Sequence, residues 1–126
     1  MKPTAVQPEN VLTPKAPYSP VVVSGDHVFT AGQVGFDEDG NVVEGGVSAQ
    51  ARRALENLRA CLEAAGSDLE HVVKVNAFLD DLGDFEAYNE VYREFFSPPY
   101  PARTTVGGAL PGELRVEIEA VARLRA

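Results

Sequence analysis

The chain has 126 residues, 44% of them hydrophobic, which is enough for one domain, residues 1–126, with a core of its own. Its formal net charge is -8, from 19 acidic and 11 basic residues. No basic cluster with interleaved aromatics stands out, so the composition argues against nucleic acid as a partner. The single cysteine, Cys61, excludes a disulfide within the chain, and the two histidines, His27 and His71, lack ligand-spaced neighbours, so no metal site is expected.

Residues 1–20 hold five of the nine prolines, at positions 3, 8, 14, 17 and 20. Proline fixes φ and lacks an N–H, so this segment reads as an extended arm and not a helix. It has no apolar core of the signal-peptide kind, and no apolar run anywhere approaches membrane-spanning length. The chain therefore reads as cytoplasmic, with no membrane partner. Tyr18 is the arm's one aromatic residue, read either as an anchor packed on the surface or as a lid over a site.

Val21-Val22-Val23, the turn Ser24-Gly25-Asp26 and a run from His27 to Gln33 read as a hairpin. Gly32 and Gly35 interrupt it, each marking either a bulge or a close approach of another group. Asp37 to Asn41 is a tight turn. From Val47 to Ala65, Val47, Ala51, Leu55, Leu58, Leu62 and Ala65 recur at helical spacing, with Ser48 as the expected N-cap and Gly66 as the C-terminal cap. Cys61 lies by this stripe and reads as a small core residue.

Val72 to Leu79 alternates as a strand, with Val73, Val75, Ala77 and Leu79 on one face. Phe85 to Phe96 is a second helix, with Asp84 as N-cap and Phe85, Tyr88, Tyr92, Phe95 and Phe96 as its apolar side; Ser97-Pro98-Pro99-Tyr100-Pro101 stops it. Tyr100 to Ala122 then reads as two strands joined by a Gly/Pro-containing turn. In the second, Leu114, Val116, Ile118, Ala120, Ala122 and Leu124 share one face, while Glu117 and Glu119 share the other with Arg115, Val121 and Arg123. The order of elements predicts an α+β domain, with helices on one side of a mixed sheet. The polar sheet face is then either wet or covered by a second subunit, which favours a symmetric oligomer.

Chemistry concentrates in that last pair of strands. Arg103, Thr105 and Gly107 share a face. Arginine presents a planar fork that holds a carboxylate through two charge-assisted hydrogen bonds. Thr105 adds a hydroxyl, and Glu117, from what reads as the neighbouring strand, can position or deprotonate water at the same place. A structural Arg103–glutamate ion pair explains the spacing equally well.

Pro101-Ala-Arg-Thr-Thr-Val106, Leu110-Pro111 and Val116-Glu-Ile-Glu-Ala-Val-Ala122 resemble the C-terminal signature of the YjgF/RidA family of enamine/imine deaminases, also described as the endoribonuclease L-PSP family. The likeness continues through Ala16-Pro-Tyr-Ser, Phe29-Thr-Ala-Gly-Gln33, Ala49-Gln-Ala, Ala64-Ala-Gly66, Asp84-Phe and Phe95-Phe96, and so spans nearly the whole chain in order. It implies a chorismate-mutase-like fold, a homotrimer with a central β-barrel, and ligand sites in clefts between subunits. It also implies hydrolysis of 2-imino acids to 2-keto acids and ammonia, with an imino or keto acid as ligand and no cofactor.

By position, the resemblance makes Arg103 the carboxylate clamp and Glu117 the holder of the hydrolytic water. Tyr18 becomes the residue that closes the site, Asn89 a neighbour of it, and Gly32 part of the pocket wall. Ala31 stands where many members have serine, and Thr105 where many have cysteine. Two other functions stay open at this point: a non-catalytic binder of small carboxylates, which those two departures favour, and an endoribonuclease, against which the net charge of -8 argues.

Overall fold

The computed structural model describes residues 2–126; Met1, the first residue of the expected arm, lies outside them. Seven strands and two helices are built: β1 Thr4–Val6, β2 Val21–Ser24, β3 His27–Thr30, β4 Gln33–Val34, α1 Gly46–Ala64, β5 Val72–Leu79, α2 Phe85–Phe95, β6 Ala102–Gly107 and β7 Val116–Arg123. The strands form one mixed sheet in the order β1-β2-β3-β7-β5-β6, with β4 also paired to β7. The helices pack on one face. Leu55, Leu58 and Leu62 of α1 and Tyr88 and Val91 of α2 share a core with Val75, Ala77, Val116 and Ile118 of the central strands. Each fully buried leucine there contributes about 1.5–3 kcal/mol. Among the described residues no helix is long and apolar enough to cross a membrane.

The arm is extended as expected, but it also joins the sheet: Thr4 to Val6 pair antiparallel with Val21 to Val23. The predicted strand from His27 to Gln33 is broken after Thr30. Its two pieces pair with successive parts of the same partner, Phe29 opposite Val121 and Gln33 opposite Ile118. Gly35 follows because a Cβ there would lie 2.8 Å from the backbone of Gln50 in α1.

Ser48 does not cap α1. The cap position belongs to Gly45, whose φ of 116° is left-handed and supplies no side-chain hydrogen bond. The C-terminus follows expectation: Gly66 has φ 90°, its N–H donates to the Glu63 carbonyl at 3.2 Å and that of Ser67 to the Leu62 carbonyl at 2.8 Å, the paired bonds of a Schellman motif.

Two further differences bear on the site. A register shift between Val72 and Lys74 turns Val72 inward and leaves Val73 45% exposed, so the strict alternation expected of β5 fails at its start. More consequentially, β6 and β7 do not pair. β5 runs between them, parallel to β6 and antiparallel to β7. The reason is α2: a strand, helix, strand sequence closes as a crossover that lays β6 beside β5 in parallel. The segment from Gly108 to Arg115 then passes over the end of β5. It is held there by the Gly108 N–H on the Leu79 carbonyl at 3.0 Å and the Leu110 N–H on Asp80 Oδ1 at 2.8 Å.

Candidate active site

β6 is an edge strand, and Arg103 points from it towards α2. Its Nη2 donates to Asn89 Oδ1 at 2.8 Å. Three rings of α2 surround the guanidinium, with Tyr92, Tyr88 and Phe85 centroids 4.7, 5.4 and 5.7 Å from Cζ. Each such contact contributes about 0.5–2 kcal/mol, more where water is excluded. Arg103 makes no ion pair among the described residues, so the structural Arg103–glutamate pair is not what this residue does. Arg103 also lines a cavity of about 270 Å³ together with Asn89, Tyr92, Arg93, Tyr100 and Pro101. An unpaired guanidinium held by one amide and three rings is an anion receptor of fixed orientation.

The rings carry the cost of that burial. Burial pushes the Tyr92 hydroxyl up to about 12, with the Arg103 charge opposing the rise. Tyr88 is driven upward in the same way. Its hydroxyl is fully buried and finds no hydrogen-bond partner among the described residues, while the Arg103 charge opposes the rise. The sequence shows Phe85, Tyr88 and Tyr92 only as the apolar side of a helix. Their spacing of three and four does place them on one stripe, and what was missing was the strand that stripe covers.

Glu117 belongs to a different place. It pairs with Val34 on one side and Phe78 on the other. Its side chain passes Gly32, where a Cβ would stand 2.8 Å from Glu117 Cγ. Of the two readings of Gly32, close approach is therefore the one observed. Glu117 and Gly32 line a cleft of about 300 Å³ with Lys15, Tyr18 and Leu114. The arm is tied down there by the Ala31 N–H, which donates to the Pro20 carbonyl at 2.8 Å, and Tyr18 is 57% exposed. Desolvation, and then the like charge of Glu119, raise the Glu117 carboxyl above its ordinary value of 4.5. Glu119 accepts from Asn76 Nδ2 at 3.1 Å and so acts on Glu117 through space.

The expected site residues thus fall into two groups. Arg103 and Asn89 are in contact, and Thr105 follows Arg103 on the same face of β6, opposite Ala77. Tyr18, Ala31, Gly32 and Glu117 gather elsewhere. Within one chain the groups do not meet. Arg103 pairs with Val75 and Glu117 with Phe78, and these positions, three apart on β5, face opposite sides of the sheet. The expectation that Glu117 approaches Arg103 from a neighbouring strand is corrected: β5 intervenes and the alternation sends the two side chains apart.

Residues 8–124 match the family model described as Endoribonuclease L-PSP. The 2-iminobutanoate/2-iminopropanoate deaminase of Dermatophagoides farinae is 44% identical over 110 residues, which cover 86% of this chain and 86% of that protein. The crystal structure of RidA from the Antarctic bacterium Psychrobacter sp. superposes with a TM-score of 0.91 at 41% identity, covering 96% of this chain and 99% of that one. The crystal structure of Escherichia coli TdcF with bound serine does so with a TM-score of 0.89 at 36% identity, covering 98% and 99%. Sequence and fold agree over almost the whole length, and the chain belongs to the YjgF/RidA family, the family described as Endoribonuclease L-PSP.

Proposed function

We propose that this protein is a hydrolytic deaminase of 2-imino acids, a 2-iminobutanoate/2-iminopropanoate deaminase that yields 2-keto acids and ammonia. The observation that carries the reading is the unpaired Arg103 guanidinium, set by Asn89 and three rings at the mouth of a cavity. The name of the Dermatophagoides relative supports the reaction, and the serine bound by TdcF supports a small carboxylate as ligand.

In this reading the active unit is a homotrimer with a central β-barrel, and the Arg103 group of one subunit meets the Glu117 group of the next. Three observations support it. The two groups lie on opposite faces of one sheet. The face away from the helices exposes Phe29 and Val106, and β6 has a free edge.

Arg103 holds the substrate carboxylate, and the protonated imine is electrophilic without a metal or organic cofactor. Glu117, with its raised proton affinity, takes a proton from water as the water oxygen bonds to the imine carbon and the C=N pair moves to nitrogen. The resulting carbinolamine gains a proton on nitrogen and loses one from its hydroxyl. The C–N bond then breaks, and the keto acid and ammonia leave. Tyr18 covers the substrate and the Gly32 backbone forms one wall. Thr105 offers a hydroxyl beside the clamp, whereas Ala31 offers none.

The test is a coupled assay with freshly generated imino acid, following appearance of the keto acid. Acceleration over buffer that disappears in Arg103→Ala is the expected result. Calorimetric binding of 2-ketobutyrate with no acceleration would replace the enzyme with a small-carboxylate sensor.

A further inference from the structure

The Arg103 cavity holds a second guanidinium that the deamination chemistry leaves idle. Arg93 lines the same cavity. It stands four residues after Asn89 on α2, one turn or about 6 Å of rise from the residue that holds Arg103. Among the described residues Arg93 has no ion pair. Its neighbour Glu94 cannot neutralise it, because Arg52 takes both Glu94 oxygens, at 2.7 and 3.0 Å. The rest of the lining is Asn89, Tyr92, Tyr100 and Pro101, with no carboxylate. In a chain of net charge -8, the exposed Arg93 and the half-buried Arg103 put two guanidiniums without ion pairs on one small cavity, and like charges so placed are relieved by anions.

We propose that this cavity receives two carboxylates of one substrate, the first on Arg103 and the second, at the end of the substrate side chain, on Arg93. The preferred substrates are then short 2-imino dicarboxylates. This rests on the deaminase reading above and narrows it. Two or three carbons beyond the reacting centre reach across about one helical turn, and the flexible stem of Arg93 takes up the remainder. The tyrosine walls alone would instead favour an aromatic side chain, and the measurements separate the two.

The experiment is calorimetry on the full chain with 2-oxoglutarate, 2-ketobutyrate and phenylpyruvate, the keto products standing in for the unstable imines. Wild-type protein is expected to bind 2-oxoglutarate at least about fivefold more tightly than 2-ketobutyrate, the effect of one partly exposed ion pair. Arg93→Gln should bring that ratio near one, and Arg93→Lys should keep most of it. Raising the salt concentration should shrink it. A wild-type ratio near one, a ratio that survives Arg93→Gln, or tighter binding of phenylpyruvate than of 2-oxoglutarate overturns the inference. Arg103→Ala distinguishes the two levels. If it abolishes 2-ketobutyrate binding while the wild-type ratio is one, only the dicarboxylate inference falls. If 2-ketobutyrate binds Arg103→Ala as well as wild type, the clamp itself is wrong and the inference falls with it.

Discussion

The Glu117 side chain runs through the space that a side chain on Gly32 would occupy, with Cγ 2.8 Å from where a Cβ would stand. The glycine is therefore part of how the carboxylate is aimed. Gly32→Ala pushes the carboxylate aside without requiring a backbone change, since the conflict is with a side chain. The expected result is a folded protein whose kcat falls by about tenfold to a hundredfold, the usual cost of displacing a reacting group by about 1 Å. Steady-state kinetics beside a far-ultraviolet circular dichroism spectrum checks it; unchanged kcat would remove Glu117 from the chemistry.

Arg103→Ala and Glu117→Gln damage opposite faces of the sheet. Each alone should be nearly inactive in the imino-acid assay. Mixed by co-expression, they should regain activity, because a cleft formed by one copy of each variant contains an intact Arg103 and an intact Glu117. Random assembly makes about a quarter of the clefts whole. Failure of the mixture to exceed either parent would mean that no site is shared between copies.

The raised Glu117 carboxyl carries two pH signatures. A carboxyl with a higher proton affinity in the folded state than its ordinary 4.5 favours folding below 4.5, and that contribution is lost as pH rises through the raised value. Glu117→Gln removes the effect, so the variant should melt at a higher temperature than wild type at pH 7, and the gap should close on acidification. The acid limb of kcat/KM should lie above 4.5 in wild type. It should move down in Glu119→Gln, which deletes the like charge beside Glu117. A limb that ignores Glu119 would show that the two carboxylates are uncoupled.

Tyr88 presents a buried hydroxyl with no partner among the described residues, beneath Arg103. Tyr88→Phe keeps the ring and deletes the orphan group, so stability should hold or rise by up to about 1 kcal/mol. Tyr88→Ala empties a fully buried site and should cost about 3–5 kcal/mol. Urea unfolding of both variants gives the comparison; a loss of stability in Tyr88→Phe would mean that the hydroxyl has a partner in solution.

Local patterns were readable without a structure. The alternation from Leu114 to Ala122, the α1 stripe and the Gly66 cap each depend on residues a few positions apart, and each is present. Pairing partners were not, because the alternation of β5 reports which face a residue takes and nothing about which strand lies beside it. That gap is why Arg103 and Glu117 read as neighbours. The inserted Val73 and the short β1 were hidden for related reasons: a bulge between two adjacent valines, Val72 and Val73, leaves no mark in the sequence, and a three-residue edge strand amid prolines lacks a pattern. Of the expected site residues, Arg103 and Asn89 line one cleft and Tyr18, Gly32 and Glu117 another, but the ring cradle of Arg103 needed α2 to be placed over β6.

The opposed orientation of Arg103 and Glu117 also has a genetic consequence. In the trimer proposed above, every copy serves two clefts, giving its arginine to one and its glutamate to the other. A folded copy that has lost both residues would spoil two clefts at once wherever it is incorporated. Such an allele, expressed beside a normal one, should act dominantly, with residual activity well below half, whereas a copy that cannot fold would be left out of the assembly and merely reduce the dose.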